Sequence, residues 1–351
     1  IGLDMTAYNQ KPQNTSQENH RILFKDDELN TLAREFLKQK FDEGVSESTL
    51  ENYCKTFRAF QFVFLKDFDR KNFIEWSAQR IADHNWTQKT LANHYRRLCC
   101  FNRFLFYNSL VLRLHRAPRC SNRPKRRELP SKLEWSLLFD SLKKRYEDAT
   151  LGRRKSRWRD YLICRVLFET GVRISEAARL RVGDLVIHDV GQYYLFILPE
   201  ASPTNSLKTD DSERAVIISE KLCEEIRAYL WSYRIQNKQA RMFASKTGKS
   251  LDTIEFSKWI KSYCASLQIE PVITPHVFRH NFILEFIAAG HSMGDLMARL
   301  GHSDVKMSIY YFRQVRRLMP FVKCADDFIS YERRFKAKGR FFQKQRGNDD
   351  E

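Results

Sequence analysis

Residues 274–311 read TPHVFRHNFILEFIAAGHSMGDLMARLGHSDVKMSIYY. Thr274 suits a helix N-cap and Pro275 the first helical position, while Gly290 and Gly301 stand where helices stop, so two or three short helices are predicted. Function is then expected at their edges. His276 and Arg279 lie three positions apart and share one face near a positively polarised N-terminus, which favours an anion such as phosphate. His302 directly follows Gly301, and Ser303 can cap the next helix, which brings Tyr311 nine positions after that histidine.

Each of these residues has an ordinary reading when taken alone. His276 and His280 read as satisfied helix histidines, Arg279 as a surface charge, and Tyr310 and Tyr311 as core aromatics. The i, i+4 pair His276 and His280 also matches a zinc spacing. Val277, Phe278 and Arg279 lie between them, without the glutamate of a metalloprotease helix, and Arg279 repels a cation. No metal site is expected.

The chain has 351 residues, enough for a sizeable core and two domains. Its 61 Lys and Arg against 43 Asp and Glu give a net charge of +18, and 13% of its residues are aromatic, so a folded protein that attracts a polyanion is predicted. Nucleic acid is the leading partner. A membrane surface is the competing polyanion, but no apolar run approaches the roughly 20 residues of a spanning helix, and no signal peptide opens the sequence. A cytoplasmic, nucleoid-associated protein is expected. The eight cysteines are scattered without a C-x-x-C pair and read as reduced small hydrophobes, so neither zinc nor disulfides are expected.

Residues 1–25 are polar and read as a flexible lead-in. Residues 26–112 read as a helical domain. Leu29, Leu32, Phe36 and Leu37 form a first stripe. A second helix from Ser46 to about residue 66 carries Leu50, Tyr53, Phe57, Phe60 and Phe64, and a third spans about 70–82. In the fourth, about 87–107, Leu91, Tyr95, Leu98, Phe101 and Leu105 point inward and Lys89, Arg96 and Arg97 outward, a basic face that reads equally as a solvated surface or as one that meets a DNA backbone.

Residues 113–130, RLHRAPRCSNRPKRRELP, break the pattern with three prolines and, from Arg113 to Arg127, seven basic and no acidic residues. An extended linker is predicted, either a plain solvated hinge or a strap whose Arg123, Lys125, Arg126 and Arg127 cross a DNA backbone, and the net charge elsewhere favours the strap.

The second domain is expected over 131–320. It begins with a helix at about 132–146 and a basic loop carrying Arg153, Arg154, Lys155 and Arg157. A helix at about 158–170 follows, stopped by Gly171. Arg173 falls in the tight connection before a helix at 175–180, where Glu176 can pair with it. Strand-like runs at 185–188, 193–198 and 214–218 predict a small antiparallel sheet, with Lys208 in the preceding loop SLKTDDSER. Helices at about 221–236 and 252–267 lead back to the opening stretch, and 321–351 form a tail. The fold class is mainly α with a small antiparallel β-sheet, in two domains.

Taken together, the motifs resemble the tyrosine recombinase (phage integrase) family. They are TGVRISEAARLRVGDL at 170–185, K-T followed by R-x-V-I from Lys208 to Ile217, HVFRH at 276–280, LGHSD at 300–304, and Tyr311 nine residues past His302. Any one of these is weak; their order and their two-domain frame carry the resemblance over about residues 26–320.

The resemblance implies a DNA recombinase of the Xer or mobile-element type that cuts and rejoins strands through a 3′-phosphotyrosyl link, without cofactor. It makes Tyr311 the nucleophile, by spacing rather than Tyr310, and Arg173 and Arg279 bidentate clamps on the scissile phosphate. His276 becomes the base or a phosphate-orienting group, His302 a donor to a non-bridging oxygen, and Lys208 the acid that protonates the leaving 5′ oxygen. Glu176 and His280 support them.

The resemblance also implies a short inverted-repeat site and a homotetramer whose tails dock on neighbouring protomers. The lead-in is expected to be too short for a separate arm-binding domain. A type IB topoisomerase, a telomere resolvase and a non-catalytic DNA-binding accessory protein are the alternatives.

Overall fold

Leu91, Tyr95, Leu98, Phe101 and Leu105 recur at three- and four-residue intervals, and all five side chains are buried, which is why the stretch around them is a helix with one inward face. The structure, a computed structural model, describes residues 31–60, 86–107, 129–188, 191–198, 213–245, 248, 250–301 and 305–318. These residues fall into two compact units, one drawn from 31–107 and one from 129–318.

The first unit contains α1 (Thr31–Asp42), α2 (Glu47–Phe60) and α3 (Gln88–Tyr107). Phe36 sits at the centre of its core. The rings of Tyr53 and Phe101 meet it edge-on with centroids at 5.1 and 5.2 Å, and Phe57 lies at 6.0 Å. Two polar side chains, Thr56 and His94, are buried in the same unit. Thr56 Oγ1 lies 3.0 Å from His94 Nδ1 and accepts from Arg97 Nη1 at 3.2 Å, so Arg97 is braced while Lys89 and Arg96 are exposed. The helix expected near 70–82 and the basic residues Arg123, Lys125, Arg126 and Arg127 lie outside the described residues.

The second unit opens with α4 (Lys132–Glu147), started by a capping box in which Ser131 Oγ accepts from the Glu134 amide and Glu134 accepts from that of Ser131. Next comes α5 (Leu151–Thr170), which corrects one expectation. Arg153, Arg154, Lys155 and Arg157 are not in a loop but in the first turns of this helix. Arg and Lys are good helix formers, only Gly152 in the segment is not, and the charged heads of Arg153 and Arg154 stay in solvent. Farther on, Leu162, Ile163, Val166 and Leu167 are buried, making α5 the central helix of this core.

Gly171 ends α5 in the left-handed conformation at φ 64°, turning the chain at once into α6 (Ile174–Arg179). Strands β1 (Leu185–His188), β2 (Gln192–Ile197) and β3 (Arg214–Ile218) form the antiparallel sheet in the order β1-β2-β3, and Leu195, Ile197, Val216 and Ile218 face the core. α7 (Glu220–Ser232) stops earlier than its sequence pattern predicts, where Arg234 adopts a positive φ of 53°, and α8 (Thr253–Ser266) follows.

The opening stretch becomes three helices, α9 (Pro275–Ala288), α10 (Met293–Leu300) and α11 (Val305–Leu318). Thr274 holds the N-cap position of α9 without a side-chain capping bond. Ile283, Ile287, Met293, Leu296, Leu300, Ile309 and Phe312 join the three helices in one apolar cluster. Across the unit, Trp135 Nε1 donates to the buried Asn281 Oδ1 at 3.1 Å and ties α4 to α9.

Candidate active site

Arg173 occupies the N-cap of α6, where the chain leaves the Gly171 turn. Its amide donates to Glu176 Oε2 at 2.7 Å and its Nη1 to Oε1 at 2.9 Å, yet 43% of the side chain is exposed, so the guanidinium keeps a face toward solvent. Glu176 is only 9% exposed and has a second cation, Arg214, whose Nη2 donates to Oε2 at 2.9 Å. Burial pushes the Glu176 carboxyl up, but hydrogen bonds and charge from Arg214 and Arg173 more than offset this and hold it below the ordinary carboxylate value. Glu176 is therefore ionised at neutral pH.

Arg279 lies one turn into α9 and is buried. Nη1 donates to the Gly171 carbonyl at 2.7 Å and Nη2 to that of Leu300 at 3.0 Å. Burial, then repulsion from Arg173 and Arg214, bring its pKa down to about 10, with Glu176 and Tyr311 acting in the opposite sense. It remains a cation at neutral pH. These five groups therefore share one electrostatic neighbourhood.

The last carbonyls of a helix have no partner within it, and here buried arginines supply them. Arg214 Nε donates to the Arg299 carbonyl at 2.8 Å, beside the Leu300 carbonyl that Arg279 holds. Gly301 then turns the chain at φ 60°.

Tyr311 lies on α11, 5% exposed. Its hydroxyl is 3.5 Å from His280 Nε2, the two rings meet edge-on at 5.1 Å, and the ring of half-buried Tyr310 is 5.4 Å away.

Arg173, Glu176, Arg279, His280 and Tyr311 thus come together. His276 sits at the second position of α9 and is exposed, and it is His280, one turn later, that stands beside the tyrosine hydroxyl. Lys208 and His302 lie outside the described residues.

Two contributors went unassigned in the sequence. Arg214 is the arginine of the R-x-V-I pattern at the head of β3, and a charge opening a strand with inward-facing Val216 and Ile218 was the available signal. The Gly171 carbonyl carries no side-chain signal at all. Among the described residues no group of three or more His, Cys, Asp and Glu is placed to hold a metal ion.

A mainly helical unit with a small sheet thus gathers Arg173, Arg214 and Arg279 with Glu176 and Tyr311 at its helix edges. The model of the phage integrase family matches residues 139–316, just over half of the 351-residue chain. The chain belongs to this family, the tyrosine recombinases, enzymes of site-specific DNA recombination that break and rejoin strands.

A tyrosine recombinase of Agathobacter rectalis is 27% identical over 183 residues, 52% of this chain and 56% of its own length. Tyrosine recombinase XerD of Staphylococcus epidermidis is 23% identical over 299 residues, 81% of this chain and 94% of its own. Among solved structures, the XerH site-specific recombinase bound to palindromic difH substrate in a post-cleavage complex is similar with a TM-score of 0.62 at 17% identity, covering 88% of this chain and 89% of that one. The Tn1549 transposon integrase in complex with transposon right end DNA follows at 0.58 and 16%, covering 82% and 98%. At such identities the structural likeness establishes the two-domain fold. The comparisons do not favour the topoisomerase, telomere resolvase or accessory-protein alternatives.

Proposed function

We propose that Arg173, Arg279 and Tyr311, with Lys208, His276 and His302, form one active site that cleaves double-stranded DNA at a short inverted-repeat site. The observation that carries this reading is the meeting of Arg173 and Arg214 on the ionised Glu176 carboxylate, with the buried Arg279 and Tyr311 in the same neighbourhood. Phosphodiester displacement concentrates negative charge on the non-bridging oxygens, and fixed planar donors stabilise it most where water is scarce.

Tyr311 Oη attacks phosphorus, the P–O5′ bond breaks, and a 3′-phosphotyrosyl link forms. The phenol proton passes to a histidine, and the leaving 5′ oxygen takes a proton from Lys208. Ester energy is conserved, so the reverse attack by another strand's 5′ hydroxyl rejoins the DNA without ATP. His276 is assigned as the base or phosphate-orienting group and His302 as a donor to a non-bridging oxygen, with Glu176 and His280 in support.

Residues 26–112 act as the core-binding domain, 113–130 as a basic linker and 131–320 as the catalytic domain, while 1–25 precede them. Lys89, Arg96, Arg97, Arg123, Lys125, Arg126, Arg127, Arg153 and Arg154 contact phosphates. Four protomers assemble on DNA through exchange of residues 321–351, in movement of a mobile element or Xer-type resolution in the cytoplasm. No helix among the described residues is long and apolar enough to cross a membrane.

The test is a nicked duplex carrying the sequence that the full chain enriches from a random pool of duplexes. Wild type and Tyr310→Phe are expected to trap a covalent adduct on it, and Tyr311→Phe to bind it without one. Absence of adduct from wild type refutes the reading, and an adduct from Tyr311→Phe but not Tyr310→Phe reassigns the nucleophile.

A further inference from the structure

The Arg214 side chain is held almost wholly out of solvent, with 6% of it accessible. Its guanidinium spans two elements that the proposed chemistry needs. On one side Nη2 and Nη1 reach Glu176 Oε2 and Oε1 at 2.9 and 3.4 Å, and Glu176 in turn holds both the amide and Nη1 of Arg173. On the other side Nε donates to the Arg299 carbonyl at 2.8 Å, at the end of α10 from which the chain runs on to His302. The Gly301 turn is shaped around it, since a Cβ at that position would lie 2.9 Å from Arg214 Nη1.

We propose that Arg214 is a positioning residue for strand cleavage. It acts through Glu176, which aims the guanidinium of Arg173, and through the end of α10; the inference rests on the active-site reading above. An arginine is needed because three donors of one planar fork point two ways at once. A lysine in its place reaches the carboxylate or the carbonyl, not both. A plain buried ion pair would ask only for charge balance and would leave the reaction indifferent to how the pair is built.

The experiment compares full-length wild type, Arg214→Met and Arg214→Lys on two nicked duplexes of the enriched sequence. One carries an ordinary scissile phosphate, the other a neutral methylphosphonate at that position. Single-turnover adduct formation, duplex affinity and melting temperature are read for each. Arg214→Met is expected to form adduct ~10- to 100-fold more slowly on the phosphate, the scale of a misplaced catalytic group, with duplex affinity within about threefold.

On the methylphosphonate, which has lost the charge that Arg173 serves, the defect shrinks to about threefold or less. Arg214→Lys falls between wild type and Arg214→Met. Equal slowing on both duplexes marks a residue that only holds the fold and overturns the proposal, as does no slowing at all. If Arg214→Met melts at the assay temperature, the phosphate-to-methylphosphonate ratio of Arg214→Lys decides in the same way. Wild type without adduct on the phosphate duplex overturns the active-site reading itself, and this role with it.

Discussion

Gly171→Ala tests whether the turn between α5 and α6 sets the geometry of Arg279. The position has a φ of 64°, and a Cβ there would lie 2.4 Å from Phe282 Cδ1, 2.8 Å from Cγ and 3.2 Å from Cβ. The left-handed conformation costs a residue with a side chain ~1–2 kcal/mol. Overpacking adds ~1–3 kcal/mol, because the Phe282 Cβ is fixed to α9 and the clash cannot be relieved by swinging the ring alone. The sum, ~2–5 kcal/mol, is a large share of a domain stability of roughly 5–15 kcal/mol.

In urea this corresponds to a midpoint lower by roughly 1 M at an unchanged slope. The same substitution moves the carbonyl that takes Arg279 Nη1 at 2.7 Å, so adduct formation in the surviving folded protein should slow at least tenfold, on the order expected for a displacement well under 1 Å. Phe282→Ala in the same chain removes the obstacle. The double variant should therefore be more stable than the two single effects predict by ~1–3 kcal/mol. A Gly171→Ala protein within about 1 kcal/mol of wild type, or strict additivity with Phe282→Ala, would refute the packing argument.

Glu176→Gln should destabilise by about 3 kcal/mol at neutral pH by leaving Arg214 buried without its counter-charge. Because the folded Glu176 carboxyl lies below its ordinary 4.5, its contribution is complete above that value and is lost as pH falls through the folded one. The gap between wild type and variant in urea unfolding should therefore narrow below about pH 4.5, and a constant gap down to about pH 3 would contradict the assignment. His280→Phe keeps the edge-on ring contact but removes the nitrogen 3.5 Å from the Tyr311 hydroxyl. A loss of about fivefold in single-turnover adduct formation is expected, the scale of one hydrogen bond, with melting unchanged; a rate equal to wild type removes His280 from the site. Replacing Arg153 and Arg154 by Gln should lower the salt dependence of duplex binding, with a log–log slope shallower by about 1 per lost phosphate contact on any sequence. An unchanged slope places α5's first turn away from DNA.

The helical stripes and the three strands were legible because burial enforces a period: Leu91 to Leu105 and Val216 with Ile218 are apolar where the core needs them. Arg173, Glu176, Arg279 and Tyr311 were legible as motif positions. What escaped was whatever is carried by backbone or by a residue with two plausible environments. The carbonyls of Gly171, Arg299 and Leu300 have no sequence signature, yet they receive Arg279 and Arg214. The segment Arg153 to Arg157 reads as a loop by charge and as a helix by propensity, and propensity prevailed since its outward face costs nothing to solvate. Likewise spacing alone could not separate His276 from His280 beside the tyrosine, because positions one turn apart share a face.

The charge balance of this cluster bears on how the site meets its substrate. Arg173 and Arg214 pair with one carboxylate, and the excess of cations is felt at Arg279, whose pKa is brought down to about 10 by burial and the repulsion of the other two. A buried arginine needs acceptors in place of water, and Arg279 donates to two backbone carbonyls, those of Gly171 and Leu300. Those bonds fix direction but are neutral, so they leave the repulsion in place. In the proposed reaction a phosphate diester adds negative charge beside these cations, and its transition state carries more of that charge on the non-bridging oxygens. Arg279 is thus oriented by neutral carbonyls while Glu176 holds Arg173 and Arg214, so under the proposed reading the cations stand ready for the charge that develops in the transition state.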